Sequence, residues 1–205
     1  IFYKLLYTQL AWSYNLVASL VSVGQWNEWV ESVLPFLGNG KILELGHGPG
    51  HLQSLAFDQQ LDITGLDLSP QMGKICRKRL LDEQHHPKLV TASGIKIPFT
   101  SGCFSTIVST FPADYIIKQE TLSEIYRMLN QEGKFILLPI AWITGKSFLH
   151  RLAAILFQIT GQSPSRTASE FEAGIKIFRS AGFDLETHQI ALKHSRVLIL
   201  EATKL

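Results

Sequence analysis

Glu44, Gly46, Gly48 and Gly50 fall on alternate positions of "ILELGHGPG", and Asp67 follows about twenty residues beyond that loop. Glycine has no Cβ, so a turn built from three of them can adopt positive φ and bring bare main chain close to a ligand. A carboxylate placed like Asp67 can accept both hydroxyls of a ribose. By themselves the glycines also suit an ordinary tight turn. With Asp67 they describe a site for an adenosine-bearing ligand.

The spacing narrows the ligand. A dinucleotide fingerprint, G-x-G-x-x-G, requires glycine where His51 stands, and no G-K-[ST] follows as a Walker loop requires. His47 and His51 have the H-x-x-x-H spacing of a helical metal pair. They straddle a Gly-Pro-Gly turn without an evident third ligand, so no metal is expected. His47 is expected beside the cofactor, and His51 at the start of the next helix.

The elements that hold this loop follow from the apolar pattern. Short aliphatic runs, "KILEL", "DITGLDL", "KLVTA", "STIVSTF" and "GKFILLPI", alternate with stretches of helical spacing, which implies a parallel sheet covered on both faces. Ser69 and Pro70 open a helix over "SPQMGKICRKRLL", the serine as cap and the proline at the first helical position. A helix over Lys118 to Leu129 carries Leu122, Ile125, Tyr126 and Leu129 on one stripe, with "NQEG" as its stop. Capping-box spacings at Thr167 to Glu170 and Ser169 to Glu172 start a later helix that ends at Gly182. "DLETHQIALK" and "SRVLILEATKL", joined by a short turn near His194, must then pair antiparallel. The expected fold is α/β, a mostly parallel sheet closed by a C-terminal antiparallel hairpin.

The 205 residues fit a single domain, and the charged fraction of 18% against 46% apolar residues hints at surplus apolar surface. A net charge of +2 argues against a nucleic-acid partner, and "KICRKRL" reads as the solvated side of one helix. Cys76 and Cys103 form neither a C-x-x-C pair nor a metal spacing; as reduced thiols they point to the cytoplasm. No charge occurs between Leu5 and Asn27, yet polar residues interrupt the stretch before the roughly 20 apolar residues of a spanning helix accumulate.

The pattern Glu44-x-Gly46-x-Gly48-x-Gly50 resembles the first motif of the class I S-adenosylmethionine-dependent methyltransferases, closest to the small-molecule group around the quinone and menaquinone C-methylases. "ITGLDLSPQM" is similar to the family's acidic second motif, "IPFTSGCFSTIVSTF" to the segment entering its fourth strand, "EIYRMLNQEGKFIL" to its following helix and fifth strand, and "SAGF" with the last hairpin to its ending. The resemblance covers most of the chain and implies a Rossmann-like, doubly wound sheet with helices on both faces. It implies S-adenosylmethionine as cofactor, with Gly46 and Gly48 against its methionine portion, Glu44 near its ammonium and Asp67 on its ribose. Leu68 and Met72 would pack on the adenine, Tyr14 would belong to an N-terminal cap over about residues 1–37, and Gly94 would be the small residue of the adenine segment. Ser93 departs from the family, which usually carries an acid there to bond the adenine amino group. A serine still accepts a hydrogen bond but brings no charge.

Methyl transfer from a sulfonium asks only for a nucleophile held in line, plus a base where the acceptor must lose a proton. Asp114 and Tyr115, in "STFPADYI", are the nearest candidates, but no catalytic residue is assigned. The Asn-Pro-Pro-Tyr signature of amino-group methylases is absent, which disfavours DNA adenine and glutamine. A stretch at about 141–166, with Phe148, Leu149, Leu152, Ile155, Leu156 and Ile159 along one helix, reads as an apolar lid. It suits a hydrophobic small-molecule acceptor, peripheral membrane contact or packing on a second subunit. A non-catalytic binding module and an NAD-dependent oxidoreductase remain as alternatives at this level.

Overall fold

A computed structural model describes residues 24–144 and 168–205, the side chains of the second stretch from 174 onward. The expected positions Tyr14, Phe148 to Ile159 and Thr167 lie outside the described residues. Chain order runs α1 (Trp26–Glu31), a 3-10 turn (Leu34–Phe36), β1 (Ile42–Leu45), α2 (His51–Asp58), β2 (Ile63–Asp67), α3 (Pro70–Asp82) and β3 (Lys88–Thr91). Then come β4 (Phe104–Thr110), a second 3-10 turn (Asp114–Ile117), α4 (Gln119–Met128), β5 (Leu129–Ile143), α5 (Ala168–Ser180), β6 (Phe183–Ala191) and β7 (Ser195–Lys204).

Among the described residues, seven strands form one sheet in the order β3-β2-β1-β4-β5-β7-β6. The first five in that order pair parallel, while β7 lies antiparallel between β5 and β6, as the terminal hairpin requires. Strand order reverses between β1 and β4, which opens the crevice where doubly wound sheets take their ligands.

All four residues of β1 are buried, as befits a central strand covered on both faces. Alternation sends Ile42 to one face, in a core with Trp29, Leu37, Leu52 and Val108, and sends Leu43 and Leu45 to the other, with Ile107, Leu122, Ile125 and Phe135. By the same alternation Glu44 shares the face of Ile42, beneath α2. Trp29 ties α1 to the far hairpin through its indole N–H, which donates to Ser195 Oγ at 2.8 Å.

Two boundaries differ from the sequence pattern. "NQEG" falls inside β5: Leu129 already pairs with Phe104, the register then shifts, and Glu132 takes φ +58 at the irregularity. β5 also continues to Ile143 because β7 offers partners as far as Ser195, so the stretch expected to begin a lid near residue 141 opens with three strand residues.

Candidate functional site

The glycine loop is hung on the end of β2. Gly46 and His47 N–H both donate to Leu66 O, at 2.7 and 3.3 Å. Gly46, Gly48 and Gly50 hold φ of +78, +52 and +87, values open to glycine and strained for other residues. The Asp67 carboxylate receives the Gly48 N–H on Oδ2 at 2.9 Å and the Ser69 N–H on Oδ1 at 2.8 Å. Each oxygen thus holds one backbone donor and keeps lone-pair capacity for another.

Beneath the loop lies a buried polar pair. Glu44, 1% exposed, accepts from Gln53 Nε2 at 2.8 Å on its Oε2, while the buried Gln53 Oε1 has no partner. Burial, reinforced by the Asp67 charge and opposed by the Gln53 hydrogen bond, raises the Glu44 carboxyl to about 7. A carboxylate and an orphan acceptor side by side suit a cationic donor. His47 is buried too; its Nδ1 lies 2.8 Å from Gly48 O, so Nδ1 carries the proton, and burial lowers its pKa. His51 opens α2, and burial, with the Arg79 charge, lowers it to about 4. Cys76 is pushed up to about 12 by burial and is an inert thiol.

At the ends of β2 and β3 two large apolar side chains face solvent, Leu68 at 70% and Ile95 at 53% exposure. Met72 is fully buried, and its N–H donates to the Ser69 cap at 3.3 Å. Ser93 and Lys96 bridge across a tight turn containing Gly94, with Ile95 N–H directed at Ser93 Oγ at 3.4 Å. That segment is pinned from α4. Arg127 donates to Phe99 O at 2.8 Å and Ile97 O at 3.1 Å, and Glu124 Oε2 accepts the Ile97 N–H at 2.8 Å. Arg127 and Glu124 also pair with each other at 2.8 Å.

On the β4 side, Thr110, Trp26, Val30 and Leu52 border Glu44 and the loop around a cavity of about 20 Å³. Phe111 takes φ +47, unusual for a bulky residue, with its N–H held by Leu138 O at 2.7 Å. Its ring stands 4.7 Å from Trp26 and 5.9 Å from Trp29, and Trp26 meets His51 edge-on at 6.5 Å. Asp114 and Tyr115 sit in the 3-10 turn just beyond.

Two further features lie away from the crevice. A cavity of about 440 Å³, lined by residues including Gly40, Thr106, Lys134 and Glu201, opens at the amino ends of β4 and β5, the wrong end of a parallel sheet for the loop's ligand. Glu186, His188 and Glu201 gather on the hairpin with ligand atoms within 4.8 Å of one another, and Lys134 bonds the other oxygen of Glu201.

Chemically, the described crevice suits one ligand bearing an ammonium, a ribose and an apolar ring. Glu44 with the unpartnered Gln53 Oε1 answers the first, Asp67 the second, and exposed Leu68 the third. Gln53, Ile95 and the Glu124 and Arg127 pair were missed from the sequence. Gln53 lies nine residues from Glu44 on the next helix, and only the βα packing brings them together.

Residues 43–137 match the family described as Methyltransferase domain. Over 147 residues, 67% of this chain, the sequence is 24% identical to the ubiquinone/menaquinone biosynthesis C-methyltransferase of Citrifermentans bemidjiense. It is 26% identical over 153 residues, 72% of this chain, to the demethylmenaquinone methyltransferase of Thermotoga maritima. The matched stretch spans 63% and 65% of those relatives, under two thirds of either. Among solved structures, a Methanococcus maripaludis protein assigned as an S-adenosyl-L-methionine-dependent methyltransferase shares the fold with a TM-score of 0.68. It is 20% identical, covering 95% of this chain and 93% of that one.

Proposed function

We propose that the chain is a class I S-adenosylmethionine-dependent methyltransferase and that it transfers a methyl group from S-adenosylmethionine to a small hydrophobic acceptor of the quinone-ring type. The observation that carries this reading is the Asp67 carboxylate, fixed by Gly48 and Ser69 N–H beside the glycine loop. The acceptor class rests on the names of the C-methylating relatives and on the aromatic wall of Trp26 and Phe111 at the β4 side.

The donor supplies an electrophilic methyl group on a sulfonium. This chain's part is to bind and orient. Glu44 and Gln53 hold the ammonium, Gly46, His47, Gly48 and Gly50 form the close-fitting loop, and Asp67 grips the ribose. Leu68 and Met72 form the apolar side of the adenine site, with Met72 supporting from within. Ser93 and Gly94 meet the ring edge through backbone N–H and the Ser93 hydroxyl. For Tyr14 in the cap over about residues 1–37, and for the apolar stretch at about 141–166, the reading from the sequence stands alone, because Tyr14 and residues 145–167 lie outside the described residues. Fixing donor and acceptor in line supplies much of the rate. Free Cys76 and Cys103 agree with a cytoplasmic setting, and no described helix is long and apolar enough to cross a membrane.

The test is labelled-methyl uptake from S-adenosylmethionine into a panel of apolar phenols and quinones, beside calorimetric titration with S-adenosylmethionine, S-adenosylhomocysteine and NAD. Uptake into a ring acceptor is expected. Tight NAD binding with no response to the sulfur compounds contradicts the proposal, and cofactor binding without turnover on any acceptor favours a binding module.

A further inference from the structure

Tyr115 sits in the 3-10 turn Asp114–Ile117, just past the carboxyl end of β4. A Cβ built on Gly46 would stand 3.1 Å from its Oη, and a Cβ built on Gly94 would stand 2.9 Å from its Cε2 and 3.3 Å from its Cδ2. One half-buried side chain therefore touches both the loop after β1 and the turn after β3. In the sheet, β2 lies between those two strands, and Asp67 is its last residue. A ligand reaching from Gly46 past Asp67 to Gly94 has to run along this ring.

We propose that Tyr115 forms a wall of the donor site, its ring against the sugar and its phenol oxygen beside the sulfonium. This rests on the donor reading above. The direction follows from the two contacts, because Oη marks the Gly46 end and the ring carbons mark the Gly94 end. The ammonium belongs at Glu44 beneath Gly46, so the sulfur lies between it and the sugar, on the Oη side. An oxygen dipole there favours a cationic sulfur over a neutral thioether. Gly94 is kept bare because a side chain would collide with the ring, a reason independent of the adenine.

Calorimetric titration of the wild type, Tyr115→Phe, Tyr115→Ala and Gly94→Ala with S-adenosylmethionine and S-adenosylhomocysteine tests this. Tyr115→Ala is expected to weaken both ligands about tenfold. Tyr115→Phe keeps the ring, so it should leave the thioether product within about twofold and weaken the sulfonium donor by about three- to tenfold. Gly94→Ala, which displaces the ring, should weaken both even if Tyr115→Ala does not melt cooperatively. Wild-type affinity in Tyr115→Ala or Gly94→Ala overturns the wall, and equal response of the two ligands in Tyr115→Phe overturns the placement of the hydroxyl. A wild type that binds neither ligand defeats the donor reading itself, an outcome separate from any difference among variants.

Discussion

Gly48 and Asp67, separated by 19 residues in sequence, are joined by a backbone N–H to Oδ2 hydrogen bond of 2.9 Å. The bond makes loop and acid one unit: the carboxylate proposed to receive the ribose also fixes the glycine turn. Asp67→Asn leaves a single acceptor oxygen for the Gly48 and Ser69 N–H donors and removes the charge. Stability should fall by about 1–3 kcal/mol, and donor affinity by tenfold or more. Denaturant melts and calorimetry measure the two; unchanged donor affinity would separate Asp67 from the site.

Glu44 contributes a pH response that comparison with a Glu44→Gln variant separates from the opposing one of buried His51. Its folded pKa, raised to about 7, lies above the unfolded carboxylate value of 4.5, so the folded state holds the extra proton between them. The contribution to stability is therefore greatest below about 4.5, declines as pH rises towards 7 and is flat above. The span is on the order of 3 kcal/mol. Thermal melts of wild type and Glu44→Gln across this window should converge at the acid end, with the variant more stable above pH 7. Donor affinity should run the other way in the wild type, improving up to about pH 7 as the carboxylate ionises to meet the ammonium. A stability difference that does not change with pH contradicts the assignment.

Arg127 holds residues 97–99, the segment after the Ser93 to Lys96 turn, from α4. Arg127→Ala removes its bonds to Ile97 O and Phe99 O and leaves Glu124 without its cationic partner, holding only the Ile97 N–H. A stability loss of about 1–3 kcal/mol is expected. Hydrogen exchange should accelerate over residues 95–99, and donor affinity should weaken by a few fold; exchange confined to α4 would show that the segment is held by other means.

Phe111 offers a test of backbone strain. Its φ of +47 costs a non-glycine residue about 1–2 kcal/mol, and glycine escapes that cost. Both Phe111→Ala and Phe111→Gly lose the ring packed against Trp26 and Trp29, but the glycine variant should melt higher than the alanine variant by the equivalent of about 1 kcal/mol. The reverse order would mean that the backbone relaxes when the ring is removed.

What could be read from the sequence was whatever local chemistry decides. Ser69 and Pro70 open a helix in any context, and Leu122 and Ile125 make an apolar stripe wherever their helix lies; both are found as expected. Alternate glycines followed by Asp67 at the βαβ interval likewise signalled their own juxtaposition. The structure adds what only packing determines. Gln53 against Glu44, Tyr115 across Gly46 and Gly94, and the left-handed Phe111 each depend on packing between elements, and none carries a periodic signal. The length of β5 was hidden for the same reason, since "NQEG" has the composition of a stop and only the partners on β4 and β7 draw it into the sheet.

The most direct measurement is a crystal structure of the protein with S-adenosylhomocysteine bound. The ribose hydroxyls are expected within hydrogen-bond distance of Asp67, the ammonium near Glu44 and Gln53, and the adenine against Leu68. A ribose lying away from Asp67, or a crevice still filled by side chains at saturating ligand, would contradict this placement.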